Sequence, residues 1–258
     1  MRMARELSLW LATGPIGDGR FLDRRRPRPC RLACIIVATA GLALVSPECG
    51  WSQGLICPVP DEPEVLANVE MPSSTIRSER TVAALTKDSV VQSERHQRVG
   101  VYIAALNVGL SVRFGLRQTS RELCLWVTGA VANITLQTRD IFIGNEFLRG
   151  SCEYRAILDH ELRHARTDDA VIRAHLPRIQ ETLRQAIIQA GAIGPVPQDE
   201  QIAARRSLET AVANGLRAAV ARLNEDRKVR QAKVDTPEEY QRVAEICPSG
   251  LRIDRLSD

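Results

Sequence analysis

The chain has 258 residues, of which 44% are apolar, 26% charged and 4% aromatic, so it can bury one core of ordinary size, and disorder throughout is excluded. Its net charge of +4 comes from the first 31 residues, where eight arginines stand against three acids. That balance of +5 leaves about −1 for the rest of the chain. The folded part therefore offers no basic face, which excludes nucleic acid as an expected partner.

The start of the chain has the pattern of an export signal. An arginine-rich stretch precedes the uncharged run 32–46 (LACIIVATAGLALVS), which has the length of the apolar core of a secretory signal and is short for a bilayer span. We assign residues 1–52 to this segment, with cleavage after Ala40 or near Ser52, and expect an exported protein, periplasmic or secreted. The alternative is an uncleaved signal anchor, which would be the only membrane contact.

Four cysteines follow a cut near Ser52, and they are candidates for disulfides. In an oxidising compartment they predict two bridges, with three possible connectivities. A bridge between Cys124 and Cys152 is one option, because it would fix the following helix to the preceding sheet, and Cys247 is a candidate tether for the last helix. Isolated buried thiols are the alternative. The four are Cys57, Cys124, Cys152 and Cys247.

Strands are predicted in the middle of the chain. Residues 53–98 are rich in Pro, Ser, Glu and Val with little periodicity, which predicts a loosely ordered lead-in. The next part has short β-branched or alternating runs separated by Gly, Asn and polar residues, and it predicts a small, mainly antiparallel sheet with a hairpin turn at Gly129–Ala130. The runs are 101–106, 110–114, 123–128, 131–137 and 140–144.

Helices are predicted from residue 151 to the end. Ser151 is a good N-cap, and no breaker follows before Pro177. A second helix is expected over 178–190, and a long polar helix over 199–233 returns antiparallel to the first two.

A last short helix is predicted to begin at Thr236–Pro237, which combines an N-cap with proline at the first helical position. Residues 99–258 are thus expected to form one α+β domain. It would consist of a small, mainly antiparallel sheet, an active-site helix and a C-terminal helical hairpin.

The chemistry is expected on the first helix, at His160-Glu161-Leu162-Arg163-His164. Residues four apart lie on one side of a helix, so both imidazoles can bind one metal ion while Glu161 projects beside them. Zinc accepts such ligands and lowers the pKa of a bound water towards ~7. Glu161 is then placed to act as general base and not as a ligand.

This HExxH stretch resembles the hallmark of the zincin metallopeptidases, and the resemblance covers residues 123–169. Within that group, the chain is most similar to small bacterial zinc proteases that are predicted to be secreted. The resemblance implies that His160 and His164 bind Zn²⁺, that Glu161 is the catalytic base, and that the substrate is a protein or peptide. In this family an edge strand lines the substrate cleft, and here that strand would lie near residues 140–145.

The third zinc ligand does not follow from the motif. Thr167 and Ala170 stand where the metzincin extension has Gly and His, and the position of a thermolysin-like glutamate falls near Arg184. Asp168 is on the right helix face but one turn further along, so orienting His164 is its expected role.

The helical hairpin brings later carboxylates opposite the histidines. Glu239 is the first choice for the third ligand, because it begins a helix that Cys247 can tether, and Tyr240 beside it would stabilise an oxyanion if that helix meets the metal. His96 and His175 are interpreted as surface histidines. The other candidate carboxylates are Glu225, Asp226, Asp235 and Glu238.

Two functions remain as hypotheses. The first is an exported zinc-dependent endopeptidase that uses a metal-activated water and Glu161. The second is a non-catalytic envelope protein with a structural metal site, or a helical interaction module. A fourth protein ligand would favour the structural site, and an open metal position would favour the enzyme.

Overall fold

A computed structural model describes residues 55–87 and 97–248. The predicted export segment, 1–52, and His96 lie outside the described residues. Within the described part, no helix is both long enough and apolar enough to cross a membrane.

The sheet is built around one long strand, β4. Along one edge, β4 pairs antiparallel with β3 over almost its whole length. Three shorter strands share the other edge, and of these β5 is antiparallel to β4 while β1 and β2 are parallel to it. The strands are β1 (Glu64–Glu70), β2 (Thr75–Arg77), β3 (Gly100–Gln118), β4 (Glu122–Ile143) and β5 (Ala192–Pro197).

The prediction of a mainly antiparallel sheet is wrong, because β1 and β2 pair in parallel with β4. Both strands come from 53–98, which the sequence pattern assigned to a loosely ordered lead-in and which also contains helix α1 (Val82–Lys87). Parallel partners need a long connection, and the 19 residues of β3 lie between β2 and β4 in the chain. The path of the chain therefore decides the direction of pairing. The alternation of apolar and polar residues within one strand carries no information about that direction.

Residues that resemble turns in the sequence lie inside the long strands. Thr128 and Gln137 are extra residues of β4 opposite β3, at the two points where the register shifts. Gly129 was predicted to form a hairpin turn and instead lies within β4. A side chain at Gly129 would come within 2.6 Å of the carbonyl oxygen of Glu64, so the glycine allows β1 to approach β4 closely.

Helix α2 (Cys152–Ala190) carries the HExxH stretch and is 39 residues long. Ser151 caps it as predicted, with its hydroxyl oxygen accepting a backbone hydrogen bond. The predicted break at Pro177 does not occur. Proline removes one backbone hydrogen bond, but Ile172 and Ile179 on either side are fully buried, and their packing keeps the helix continuous.

Helix α3 (Gln201–Ala232) follows β5 and a short turn, and it runs antiparallel to α2. Together α2 and α3 cover one face of the sheet and form the main core with it. Its central members are Leu106 of β3, Ala132, Ile134 and Leu136 of β4, Ile172, Ile179 and Leu183 of α2, and Leu208 and Leu223 of α3.

Helix α4 (Pro237–Glu245) begins as predicted, with Thr236 as N-cap and proline in the first turn. It packs against the start of α2 through a small cluster that includes Val243 and Ala156. The long helices α2 and α3 and this short helix therefore meet at the end of the molecule where His160 lies.

Two disulfides join the described cysteines: Cys57–Cys124 and Cys152–Cys247. The prediction of two disulfides is confirmed, whereas the suggested bridge between Cys124 and Cys152 is wrong. Cys57–Cys124 ties the lead-in to β4, and Cys152–Cys247 ties the end of α4 to the start of α2. Disulfides persist in oxidising compartments, so the pairing suggests an exported environment.

Candidate metal centre

His160 and His164 lie one turn apart on α2, and only 6% and 8% of their surfaces are exposed. Their Nε2 atoms are 3.3 Å apart. Both rings face the connection between α3 and α4, residues 233–236. The predicted cleft beside the histidines is therefore closed on one side by this connection.

Asp235 lies in that connection and completes a group of three. Its Oδ1 is 3.0 Å from Nε2 of His164 and 3.4 Å from Nε2 of His160. These donor atoms belong to residues that could hold a metal ion. Asp235 was one of several carboxylates considered from the sequence.

The spacing of the three donor atoms fits a tetrahedral metal site. Two ligand atoms that each lie about 2.0–2.1 Å from zinc at the tetrahedral angle are about 3.3–3.4 Å apart. The three distances among His160 Nε2, His164 Nε2 and Asp235 Oδ1 are 3.0, 3.3 and 3.4 Å. A cation can therefore lie about 2.0–2.1 Å from all three atoms, and a fourth coordination position then remains for a ligand that is not one of them.

The three groups change one another's ionisation. Burial acts to lower the pKa of His160 and of His164, but the contacts with Asp235 and with other neighbours, among them Glu161, together outweigh it and raise both above their ordinary value of 6.5. Burial raises the pKa of Asp235, but the hydrogen bonds from the two histidines outweigh it and hold that pKa well below its usual range. In the absence of a metal, these shifts favour protons on the imidazole nitrogens that a metal would bind.

Each histidine has a partner on its other ring nitrogen. Nδ1 of His160 is 3.3 Å from Oε1 of Glu239, and Nδ1 of His164 is 2.5 Å from Oε1 of Gln231. A ligand histidine commonly gives its other N–H to such an acceptor, which fixes the ring and the tautomer. Both partners therefore favour Nε2 as the atom that faces the metal position.

Glu239, the first choice for the third ligand, is this partner of His160 and lies outside the group of three. Arg163 donates to it at 2.9 Å and Arg242 at 2.7 Å. The hydrogen bond from Arg242 is the main cause that lowers the pKa of Glu239 to about 2. The carboxylate is therefore charged and fully engaged at neutral pH, and it orients His160.

The remaining candidates lie further along the helix pair. Asp168 is 1% exposed and forms an ion pair with Arg227 at 2.7 Å. Asp226 is 3.1 Å from Nε2 of His175, which is 5% exposed, so the prediction that His175 is a surface histidine is wrong. Glu225 and Glu238 are exposed and belong to no group that could hold a metal among the described residues.

Glu161 is buried beside the group, with 5% of its surface exposed. Burial raises the pKa of its carboxyl to about 7, although the neighbouring histidines and the amide of Tyr102 act to lower it. A side chain at Gly100 would come within 2.6 Å of Oε1 of Glu161, so this glycine leaves room for the carboxylate. A carboxyl with a pKa near neutrality is suited to take and return a proton at physiological pH.

The strand next to Glu161 is the beginning of β3. Residues 140–142 pair with β2 on one side and with β3 on the other, so they are internal to the sheet. The expectation that the edge strand lies near 140–145 is therefore wrong. Among the described residues β3 pairs only with β4, so its second edge, starting at Gly100, has no strand partner there.

Tyr240 lies at the open side of the group, with 48% of its surface exposed. The centroid of its ring is 5.8 Å from that of His160. Burial of the phenol and the Asp235 carboxylate, to which it is hydrogen-bonded, raise the pKa of Tyr240 above its ordinary value. The phenol therefore keeps its proton at neutral pH and remains a hydrogen-bond donor.

Replacing Cys152 and Cys247 together by Ser is expected to lower both the stability of the protein and its affinity for zinc. This disulfide closes a separation of 95 residues, and a disulfide typically contributes about 2–4 kcal/mol of stability. It also holds α4, whose Glu239 orients His160. Urea unfolding and a zinc titration against a competing chelator measure the two effects.

The other disulfide provides the matched control. Cys57–Cys124 closes a similar separation, 67 residues, but joins the lead-in to β4 away from the histidines. Its replacement by two serines is expected to lower stability and leave zinc affinity unchanged. Equal losses of zinc affinity in both double variants would show that the Cys152–Cys247 bridge has no specific role at the site.

Sequence reasoning missed Gln231 and Arg227, which both contact residues of α2. The predicted hairpin places the late carboxylates, from Glu225 to Glu239, opposite the histidines, and this range contains both residues. Neither an amide nor a guanidinium is among the usual zinc ligands, so neither type was sought. Their position in the hairpin was the only signal.

The chain matches no known protein-family model, no curated protein and no solved structure. The candidate site is therefore described by its geometry alone. Two histidines from α2 and an aspartate from the connection between α3 and α4 lie beside a buried glutamate.

Proposed function

We propose that this protein is an exported zinc-dependent endopeptidase of the zincin type. Its zinc ligands are His160, His164 and Asp235, and Glu161 is the general base. The observation that carries the proposal is the convergence of three donor atoms, 3.0 to 3.4 Å apart, beside a buried carboxylate on the same helix.

Two features favour zinc and catalysis over a structural site. Two imidazoles with one carboxylate are a donor set that zinc accepts, and three protein ligands with an open fourth position are typical of catalytic zinc. Within the described residues the metal-binding group has three members, and Glu239 is engaged elsewhere. A structural site would need a fourth protein ligand.

The residues around the group then have distinct roles in peptide hydrolysis. Zinc, when bound, polarises the peptide carbonyl and lowers the pKa of water from ~15.7 to about 7. Glu161 accepts a proton from the attacking water and delivers it to the leaving amine, so the carbonyl carbon gains oxygen as the C–N bond breaks. The hydroxyl of Tyr240 turns from Asp235 to donate a hydrogen bond to the oxyanion that develops on the carbonyl. The free edge of β3 offers backbone groups to an extended peptide.

Metal analysis of the purified, oxidised protein tests the proposal first, followed by an assay on unfolded protein substrates. We expect about one zinc ion per chain, cleavage within the substrate chain, loss of cleavage with a chelator and recovery with added zinc. A protein that holds no zinc contradicts the proposal. Tightly bound zinc without hydrolysis of any peptide bond supports the non-catalytic structural site instead.

The stability of the metal-free protein and the stability gained on adding zinc are expected to change with pH in opposite directions. Without metal, the raised pKa values of His160 and His164 contribute stability that is complete below their ordinary value of 6.5 and is lost as the pH rises through the folded values. Glu161 acts in the same direction between 4.5 and about 7. Zinc competes with protons for the same nitrogens, so its affinity rises over this range.

Thermal unfolding between about pH 6.5 and 8, with chelator or with excess zinc, measures this difference. The melting temperature of the metal-free protein is expected to fall with pH, and the increase on adding zinc is expected to grow. A zinc-induced increase that is independent of pH contradicts binding through these histidines.

A further inference from the structure

A chain of partly buried hydrogen bonds leads from His164 away from the metal position. Oε1 of Gln231 is 2.5 Å from Nδ1 of His164, while Nε2 of Gln231 donates to Oδ1 of Asp168 at 2.8 Å and to the backbone carbonyl of His164 at 3.0 Å. Asp168 also accepts from Arg227 at 2.7 and 3.0 Å and from the hydroxyl of Tyr102 at 3.2 Å. The chain links α2, α3 and β3.

The two acceptors fix which way the Gln231 amide points. A backbone carbonyl and a carboxylate have no proton to donate, so the NH₂ group of Gln231 must face the carbonyl of His164 and the carboxylate of Asp168. The amide oxygen then faces Nδ1 of His164 and can only accept. His164 must therefore carry a proton on Nδ1, which leaves the lone pair of Nε2 for a metal.

Asp168 strengthens this orientation. Turning the amide of Gln231 over would bring its oxygen against the Asp168 carboxylate as well as against the carbonyl of His164. It would also present the NH₂ group to Nδ1, and the ring proton would then have to move to Nε2 and occupy the metal position. Asp168 is 1% exposed and paired with Arg227, so it is held in place and its charge is balanced.

We propose that Gln231 and Asp168 are positioning residues that fix the tautomer and the orientation of His164 as a metal ligand. The inference rests on the proposed metal site. It also means that the two histidines are held differently: His160 by the carboxylate of Glu239 directly, and His164 by a neutral amide whose orientation a more distant carboxylate sets.

Gln231→Met tests the proposal, because Met has a similar length and lacks the amide oxygen. The full oxidised protein is compared by zinc titration against a competing chelator and, in the metal-free state, by NMR of ¹⁵N-histidine-labelled protein. We expect zinc affinity to fall by about 10- to 100-fold. We also expect the slowly exchanging Nδ1–H of His164 to be present in the wild type and lost to rapid exchange in the variant.

Two further variants separate positioning from a general effect on the fold. In Asp168→Asn the carboxylate acceptor is lost, but the carbonyl of His164 still accepts from the Gln231 amide, so zinc affinity should fall by less than in Gln231→Met. Asp226→Asn changes the partner of His175 in the same helix pair and should leave zinc affinity and the His164 proton unchanged.

Unchanged zinc affinity in Gln231→Met, or a protected Nδ1–H in that variant, would overturn the proposal. A loss of zinc affinity in Asp168→Asn that exceeds the loss in Gln231→Met would also count against it. The NMR readout needs no metal, so a wild-type protein that binds no zinc but shows the protected proton would refute the proposed function and leave the hydrogen-bond chain established.

Discussion

Glu161→Gln is expected to lower peptide hydrolysis by about 10²- to 10⁴-fold and to leave zinc content unchanged. Gln has the shape of Glu but cannot accept the proton of the attacking water. Glu161 is not one of the three residues that converge on the metal position, so its charge is not needed to hold the ion. Initial rates on a quenched peptide, with zinc measured in the same samples, give both quantities.

The burial of Glu161 makes this variant easy to interpret. Only 5% of the residue is exposed, and burial raises its pKa to about 7, so the charged carboxylate is unfavourable there. A neutral amide of the same size should therefore fold at least as well as the wild type. Glu181→Gln, an exposed change on the same helix, is the matched control and should alter neither rate nor zinc content. Full activity of Glu161→Gln would exclude this residue as the base.

Features of the structure that depend on neighbouring residues could be predicted from the sequence. Ser151 and Thr236 cap the helices that follow them, because capping needs only a side-chain oxygen and the next few amides. His160 and His164 lie on one side of their helix because the spacing of four residues places them there. These signals point to α2 as the helix of the candidate site and to two of the three proposed ligands.

Features that depend on residues far apart in the chain could not be predicted in this way. The parallel pairing of β1 and β2 with β4 follows from the path of the chain, and Gly129 looked like a turn because the contact that requires a glycine comes from Glu64. The helix continues through Pro177 because packing on both sides compensates for the lost hydrogen bond. Each of these outcomes is decided by tertiary contacts.

The ranking of the carboxylates depends on tertiary contacts as well. Asp235 and Glu239 are four residues apart, and the sequence shows both near the start of the last helix. Which one contacts Nε2 of the histidines depends on where α3 ends and on the angle at which α4 packs. Arg163 and Arg242 also contribute, because both donate hydrogen bonds to Glu239. The sequence predicted that Cys247 tethers the last helix, but this tether does not indicate which of the two carboxylates contacts Nε2.

Asp235→Ala is expected to lower zinc affinity by about 10²- to 10⁴-fold, because it removes one of three ligands from a site whose binding free energy is on the order of 10–16 kcal/mol. Glu239→Gln is expected to cost less, about 10- to 100-fold, because it weakens only the orientation of His160. Competition titration with a chelator of known affinity ranks the two variants.

The difference between these two variants decides the third ligand. Asp235 contacts both histidines, and Glu239 pairs with Arg163 and Arg242, so both replacements are expected to lower the stability of the metal-free protein. Metal-free stability therefore does not separate the two variants, and zinc affinity does. If Glu239→Gln lost more zinc affinity than Asp235→Ala, Glu239 would be the ligand and the connection would have to move on metal binding, since its carboxylate now contacts Nδ1 of His160 and not Nε2.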